Sequence, residues 1–138
     1  MRDDSKILKR LENKALHYLG RYASTERRLK DILGRFAKRK MPDEDPIRMA
    51  KLIDDLVTSC REKGYVNDQM FADQKTTSLR RQGSSRLQIK RKLYERGVAD
   101  DVITQAISDY DDDHNHDVEI ESALIYARKR RLGPYRKP

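Results

Sequence analysis

The chain has 138 residues, a formal net charge of +8 at pH 7 and a mean hydropathy of −0.98, with 36% hydrophobic and 39% charged residues. So little apolar surface excludes a thick core, and the cationic excess (pI near 9.6) suits a polyanion or an acidic protein surface as partner. No apolar run approaches the roughly 18 residues of a membrane span, no secretory signal opens the chain, and the lone Cys60 lies on an apolar stripe, so a cytoplasmic, reducing setting is expected.

In chain order, Leu8, Leu11, Ala15, Tyr18, Leu19 and Tyr22 recur at helical spacing and predict a first amphipathic helix. Ser24 or Thr25 can cap a second, whose inward stripe is Leu29, Ile32, Leu33 and Phe36 and whose other face carries Arg27, Arg28, Lys30, Arg35 and Lys38. Asp45 before Pro46 restarts the chain as a cap followed by proline in the first turn. The third helix then aligns Met49, Leu52, Ile53, Leu56, Val57 and Cys60. Gly64 stands just past its last basic turn, where a left-handed residue ends a helix, and Asp68 is placed to cap the next helix. Tyr65, Val66 and Phe71 flank this turn and are expected to staple the two helices together.

The fourth helix, roughly 68–82, turns Phe71, Ala72 and Leu79 inward and has the weakest stripe in the chain. Gly83-Ser84-Ser85 makes a turn, and Ser85 with Gln88 predicts a capping box for a fifth helix with Ile89 and Leu93 inward. Gly97 ends it, and a sixth helix follows on Val102, Ile103, Ala106, Ile107 and Tyr110. The acidic run Asp109 to Asp117 reads as a flexible entry to a seventh helix, with Ile120, Ala123, Leu124 and Ala127 inward. Alternating runs are missing, so no strand is expected and the fold class is all-α.

Superimposing helices two and three on helices five and six matches Ser24 with Ser85, Leu29 with Ile89, Leu33 with Leu93, Ile53 with Ile103 and Leu56 with Ala106. This internal repeat predicts tandem three-helix units in an elongated array, each burying a face against the next. The expected organisation is a first repeat over 1–66, a second over 67–110 and a partial third with a basic tail over 111–138.

Charge is segregated along the chain. Residues 80–96 hold seven basic side chains against Glu95 alone, residues 21–40 hold eight against two acids, and residues 99–121 hold nine acids and no lysine or arginine. Segregated charge makes a field, whereas interspersed charge cancels within a Debye length of about 8 Å. Arg27, Arg28, Arg35, Arg80, Arg81, Arg86, Lys90 and Arg91 are therefore the candidate residues of a basic binding face. Tyr94 and Tyr135 sit beside basic residues and can stack on exposed bases, though packing or plain exposure is the simpler reading. His114 and His116 with Asp113 and Asp117 do not make a metal site, because histidines two apart do not share a helix face. Adjacent carboxylates such as Asp54 and Asp55 point to different faces and have no nucleophile beside them, and no phosphate-cradling loop is present. The residues thus predict a binding protein without catalytic residues, metal or cofactor.

The series Gly64-Tyr65-Val66-Asn67-Asp68 with Phe71-Ala72 resembles the signature of the RecX family, regulators of the RecA recombinase. Arg81-Gln82-Gly83-Ser84-Ser85-Arg86 and Leu93…Arg96-Gly97-Val98 are similar to the family's second unit, and Ala127 to Tyr135 to the start of its third. The first link is longer and more charged than the family pattern, and the third unit stops after one helix. The resemblance implies that the elongated array is curved, and that it is a monomer lying along the groove of the RecA–single-stranded-DNA filament and inhibiting recombinase and ATPase activity by binding, in DNA repair, recombination and the SOS response. Its partners would be RecA, single-stranded DNA and duplex DNA, with Gly64, Tyr65, Asp68, Phe71 and Ala72 structural. The alternative is an autonomous DNA-binding module in which helix–Gly97-Val98–helix acts as a helix-turn-helix.

Overall fold

The computed structural model describes residues 4–114 and 118–130. Among the described residues the chain forms seven helices and no strand: α1 (Asp4–Leu19), α2 (Glu26–Lys40), α3 (Pro46–Glu62), α4 (Asp68–Arg81), α5 (Arg86–Glu95), α6 (Asp100–His114) and α7 (Val118–Arg130). They divide into two compact units, Met1–Asp68 and Gln69–Pro138, each with its own apolar cluster.

In the first unit Leu11, Leu29, Leu33 and Val57 are wholly shielded from solvent, and Ala15, Ala37, Met49, Ile53, Leu56 and Cys60 complete the three-helix seam. Ile7 rather than Leu8 opens the α1 stripe, and Tyr22, beyond the helix end, is 56% exposed, so the expected stripe was one residue off at its start and too long at its finish. The cap of α2 is Thr25, whose hydroxyl accepts from the Arg28 N–H at 3.2 Å. Ser24 instead donates to the Thr25 carbonyl. Asp45 caps α3 by accepting from the Ile47 N–H at 3.1 Å, with Pro46 in the first turn.

In the second unit Ile89, Leu93 and Ile107 are fully buried, with Ala72, Leu79, Val98, Ile103 and Ala106 around them. The Ser85–Gln88 capping box is formed in both directions, at 3.3 and 3.0 Å. Three helix ends share one device. Gly64, Gly83 and Gly97 have φ of +78°, +90° and +80°. The residue after each glycine donates its N–H back into the helix, Tyr65 to Cys60 O, Ser84 to Leu79 O and Val98 to Leu93 O. This closes the last carbonyls in the manner of a Schellman motif, and only glycine takes that backbone conformation without strain.

The register of the repeat follows from the buried positions. Leu29 and Leu33 of α2 match Ile89 and Leu93 of α5, and Ile53, Leu56 and Val57 of α3 match Ile103, Ala106 and Ile107 of α6, all of them buried. The cap equivalent to Ser85 is accordingly Thr25, which corrects the pairing with Ser24. The same register sets Glu26 against Arg86 and Arg61 against Asp111. Both pairs of helices carry an ion pair there, Arg61–Glu26 at 3.1 Å in the first unit and Arg86–Asp111 at 3.1 Å in the second, with the polarity reversed.

Two expectations fail in the second unit. The acidic run is helical over its described part, since α6 continues to His114; residues 115–117, directly before α7, lie outside the described residues. Carboxylates near a helix C-terminus oppose its dipole. Here Asp111 is paired with Arg80 and Arg86, Asp109 accepts from Gln105 Nε2 at 2.6 Å, and His114 stacks on Tyr110 at 3.8 Å. The inward stripe of α7 is also displaced. Leu124 is 47% exposed and Ala123 is exposed, whereas Ser122 is buried; Ile120 lies outside the residues whose side chains are described. A methyl built on Gly83 would meet Ile125 Cγ2, Ser122 O and Tyr126 N, each at 3.0 Å. Bare glycine therefore lets the α7 backbone settle on the α4–α5 turn, where Lys129 Nζ donates to Gln82 O at 3.0 Å.

Candidate functional site

The cationic candidates separate into two groups once their surroundings are known. On α2, Arg27 and Arg35 are exposed on the side away from Leu29 and Leu33, while Arg28 is half-buried beside the cap. Lys30 reaches across to Asp54 of α3 at 3.4 Å. On α5, Lys90 and Arg91 are exposed, as is Arg81 at the end of α4.

Arg80 is not on a basic face. Its side chain is 1% exposed, its Nη2 lies 2.9 Å from Asp111 Oδ2, and its Nη1 donates to Ser84 O at 3.3 Å. Arg86 shares the same Asp111 oxygen at 3.1 Å, so it is partly committed to the interior although its side chain is 55% exposed. The two arginines follow one carboxylate supplied by α6. Thr76, one turn before Arg80 on α4, is also fully buried. Half of the buried positions of α4 are thus polar, which is why its apolar stripe reads as weak in the sequence, although α5 and α7 are no more amphipathic. A charge run in a sequence does not show which of its members has an acid waiting for it in a distant helix.

Reading along α5, Leu87, Lys90, Arg91 and Tyr94 recur at steps that place them on one exposed side of the helix. Leu87 is 64% and Tyr94 65% exposed. An apolar residue, an aromatic ring and two cations thus share an outer stripe, the composition suited to unstacked bases and phosphates. Leu87 was missed from the sequence, since a leucine beside Ile89 reads as core, and Tyr94 is now seen not to pack. Tyr135, His116 and Asp117 fall outside the described residues. Although both middle helices are basic, the repeat register superimposes only Lys30 on Lys90; Arg27, Arg28 and Arg35 fall opposite Leu87, Gln88 and Glu95. The two units therefore display their charge in different patterns.

The residues of the Gly64–Ala72 stretch are mostly built into the fold. Val66 and Ala72 are buried and Phe71 packs partly against the second core, but Tyr65 is 53% exposed and staples nothing. Asp68 does not cap its own helix. Its Oδ1 accepts from the backbone N–H of Glu26, the first residue of α2, at 2.9 Å. Thr25 and Asp68 thus satisfy two of the free donors at that terminus, the N–H groups of Arg28 and Glu26, beside the Arg61–Glu26 pair. Burial pushes the Asp68 carboxyl above its ordinary value, and the neighbouring Glu26 charge adds to this, while the Glu26 N–H and Arg61 pull the other way. A carboxyl raised in the folded state contributes stability that is full below the ordinary aspartate value and is lost as pH rises through the folded value. Asp68→Asn keeps an acceptor for the Glu26 N–H and removes the buried charge. It is expected to be at least as stable as the parent at pH 7 and to flatten the acid-side gain, which urea titrations at several pH values will register. A clear loss of stability at neutral pH would show that the ionised carboxylate is required.

Cys60 is buried on the α3 seam, and burial pushes its thiol above the ordinary range, so it is held as a neutral, unreactive core group. Among the described residues no group of three His, Cys, Asp or Glu side chains is placed to hold a metal ion, and no helix is long and apolar enough to cross a membrane.

Among the described residues, seven helices with no strand, and α2–α3 and α5–α6 in matching register, define an all-α protein of three-helix repeats. Residues 67–107, covering α4, α5 and most of α6, match the family model described as RecX, second three-helix domain. Over 129 residues the chain is 39% identical to the regulatory protein RecX of Myxococcus xanthus, covering 91% of this chain and 67% of that protein. It is 32% identical to the regulatory protein RecX of Agrobacterium fabrum over 133 residues, covering 96% and 68%. A namesake from Listeria monocytogenes is 30% identical over 118 residues, of which 39% of its own length is covered. Solved structures offer no significant match. The chain belongs to the RecX family.

Proposed function

We propose that this RecX-family protein binds the RecA–single-stranded-DNA filament along its groove and restrains the filament's ATPase and strand exchange by occupying it. The reading extends to a monomer acting in the cytoplasm, on single-stranded and duplex DNA as well as on RecA, and to an organisation of two repeats (1–66 and 67–110) with residues 111–138 opening a third. Family membership supports the recombinase as partner. The observation that carries the DNA contact is the outer stripe of α5, where Lys90 and Arg91 are exposed beside Leu87 and Tyr94. Arg27, Arg35 and Arg81 supply further exposed cations. No chemistry is required of the chain: cations that neutralise phosphates release counterions, which gives salt-dependent affinity without catalysis.

ATP hydrolysis by RecA on single-stranded DNA is expected to fall when the protein is added. An unchanged rate at saturating protein would reject the proposal, and a strong preference for one duplex sequence would favour an autonomous helix-turn-helix reader instead. The double reversal Lys90→Glu/Arg91→Glu is expected to weaken filament binding at 0.15 M salt by roughly tenfold or more while the far-UV dichroism stays at the parent value. Arg80 and Arg86 are left intact in this test, because an acid at either position would face Asp111.

A further inference from the structure

A depression lies beside the outer stripe of α5, within the second unit. Gln82, Gly83 and Ser84 of the α4–α5 turn form its floor. Gln88, Arg91, Lys92 and Glu95 line one side and Tyr126 and Lys129 of α7 the other, enclosing about 380 Å³. That falls within the range of small-ligand sites, roughly 300–1,000 Å³. Its charged lining is Arg91, Lys92 and Lys129 against Glu95, a net excess of two positive charges. Tyr126 is 39% exposed and lines the cleft. The cleft exists because Gly83 lacks a side chain: the α7 backbone closes to 3.0 Å of where a Cβ would stand, and Lys129 is tethered to Gln82 O at 3.0 Å.

We infer that this cleft is a nucleotide-binding subsite for single-stranded DNA, in which Arg91, Lys92 and Lys129 hold a phosphodiester and Tyr126 stacks on the attached base. Arg91 stands where the cleft meets the outer stripe of α5, so a strand crossing that stripe can lead into it. The opening helix of the third unit then belongs to the binding surface and does more than cover the second unit. The inference rests on the DNA contact proposed above, and it assigns α7 a part that neither the charge runs nor the family signature gave it.

The test uses the full chain and a fluorescently labelled oligothymidylate without recombinase, followed by anisotropy across a salt series, with an abasic oligonucleotide of the same length as the second probe. Tyr126→Ala is expected to weaken binding of the thymidylate by about 5- to 100-fold, the range of one base–aromatic stack, and to leave the abasic strand unaffected. Lys92→Gln, which removes no hydrogen bond or ion pair seen among the described residues, and Lys129→Gln are each expected to lower the salt slope by about 0.7 on both probes. Equal effects of Tyr126→Ala on the two probes would make the ring structural and overturn the base contact. Parent affinity and slope in the two lysine variants, or no oligonucleotide binding by the parent, would overturn the subsite. The filament reading is checked separately: a parent chain that lowers the RecA ATPase while these variants change nothing on either probe removes the cleft and leaves that reading standing.

Discussion

Replacing Asp111 with alanine is expected to destabilise the second unit by about 3 kcal/mol or more, although the residue is only one of nine acids in an acidic run. Its Oδ2 is the counter-charge for Arg80, whose side chain is 1% exposed, and it also holds Arg86. Without it a buried guanidinium loses this carboxylate, and breaking a buried pair from one side is the costly case. Arg80→Leu is expected to be milder, since it removes the buried charge and leaves Asp111 paired with Arg86. Amide exchange read peptide by peptide will separate the two: Asp111→Ala should lower protection across 72–107 far more than Arg80→Leu. If Asp111→Ala stays within about 1 kcal/mol of the parent in urea, the triad adds little and the other contacts of Arg80, the bond to Ser84 O among them, suffice to hold it.

Val57→Asp is expected to have an effect of the same order in the other unit. Val57 is wholly shielded from solvent between Leu29, Leu33, Ile53 and Cys60 in the first core, and an unpaired carboxylate there costs several kcal/mol. The first unit is expected to unfold, with loss of exchange protection over 4–66. Because the second apolar cluster is made entirely of residues 71–107, its protection is expected to survive. Simultaneous loss in both regions would mean that the two clusters melt as one cooperative body.

Most of the helices were legible in the sequence because they carry a capping residue or a clear stripe, as α2, α3 and α5 do. The seams at Leu29/Leu33 and Ile89/Leu93, the Ser85–Gln88 box, the Asp45-Pro46 start and the glycine ends were all local patterns. What escaped were features decided at long range. Arg80 looked like one more cation, since nothing within its own helix announces that Asp111 will meet it. Asp68 looked like a cap for the helix it begins, yet its carboxylate serves α2. On α7 the apolar spacing suggested Leu124 and Ala123, but the close approach permitted by Gly83 turned Ser122 inward instead. The candidate site was legible as an excess of charge on α2 and α5. It was not legible as a choice among those charges, because the choice depends on which cations already have a partner.

The mirrored ion pairs bear on how a duplicated chain avoids confusing its own halves. The two units use the same apolar spacing, so a helix from one would fit the hydrophobic seat of the other well enough to compete for it. The electrostatic lock does not fit. If α6 took the place of α3, Asp111 would confront Glu26, and if α3 took the place of α6, Arg61 would confront Arg86. Each exchange replaces an attraction with a repulsion, so opposite polarity at one site distinguishes α3 from α6 as the neighbour of α2 or α5 and works against crossed assembly of a repetitive chain.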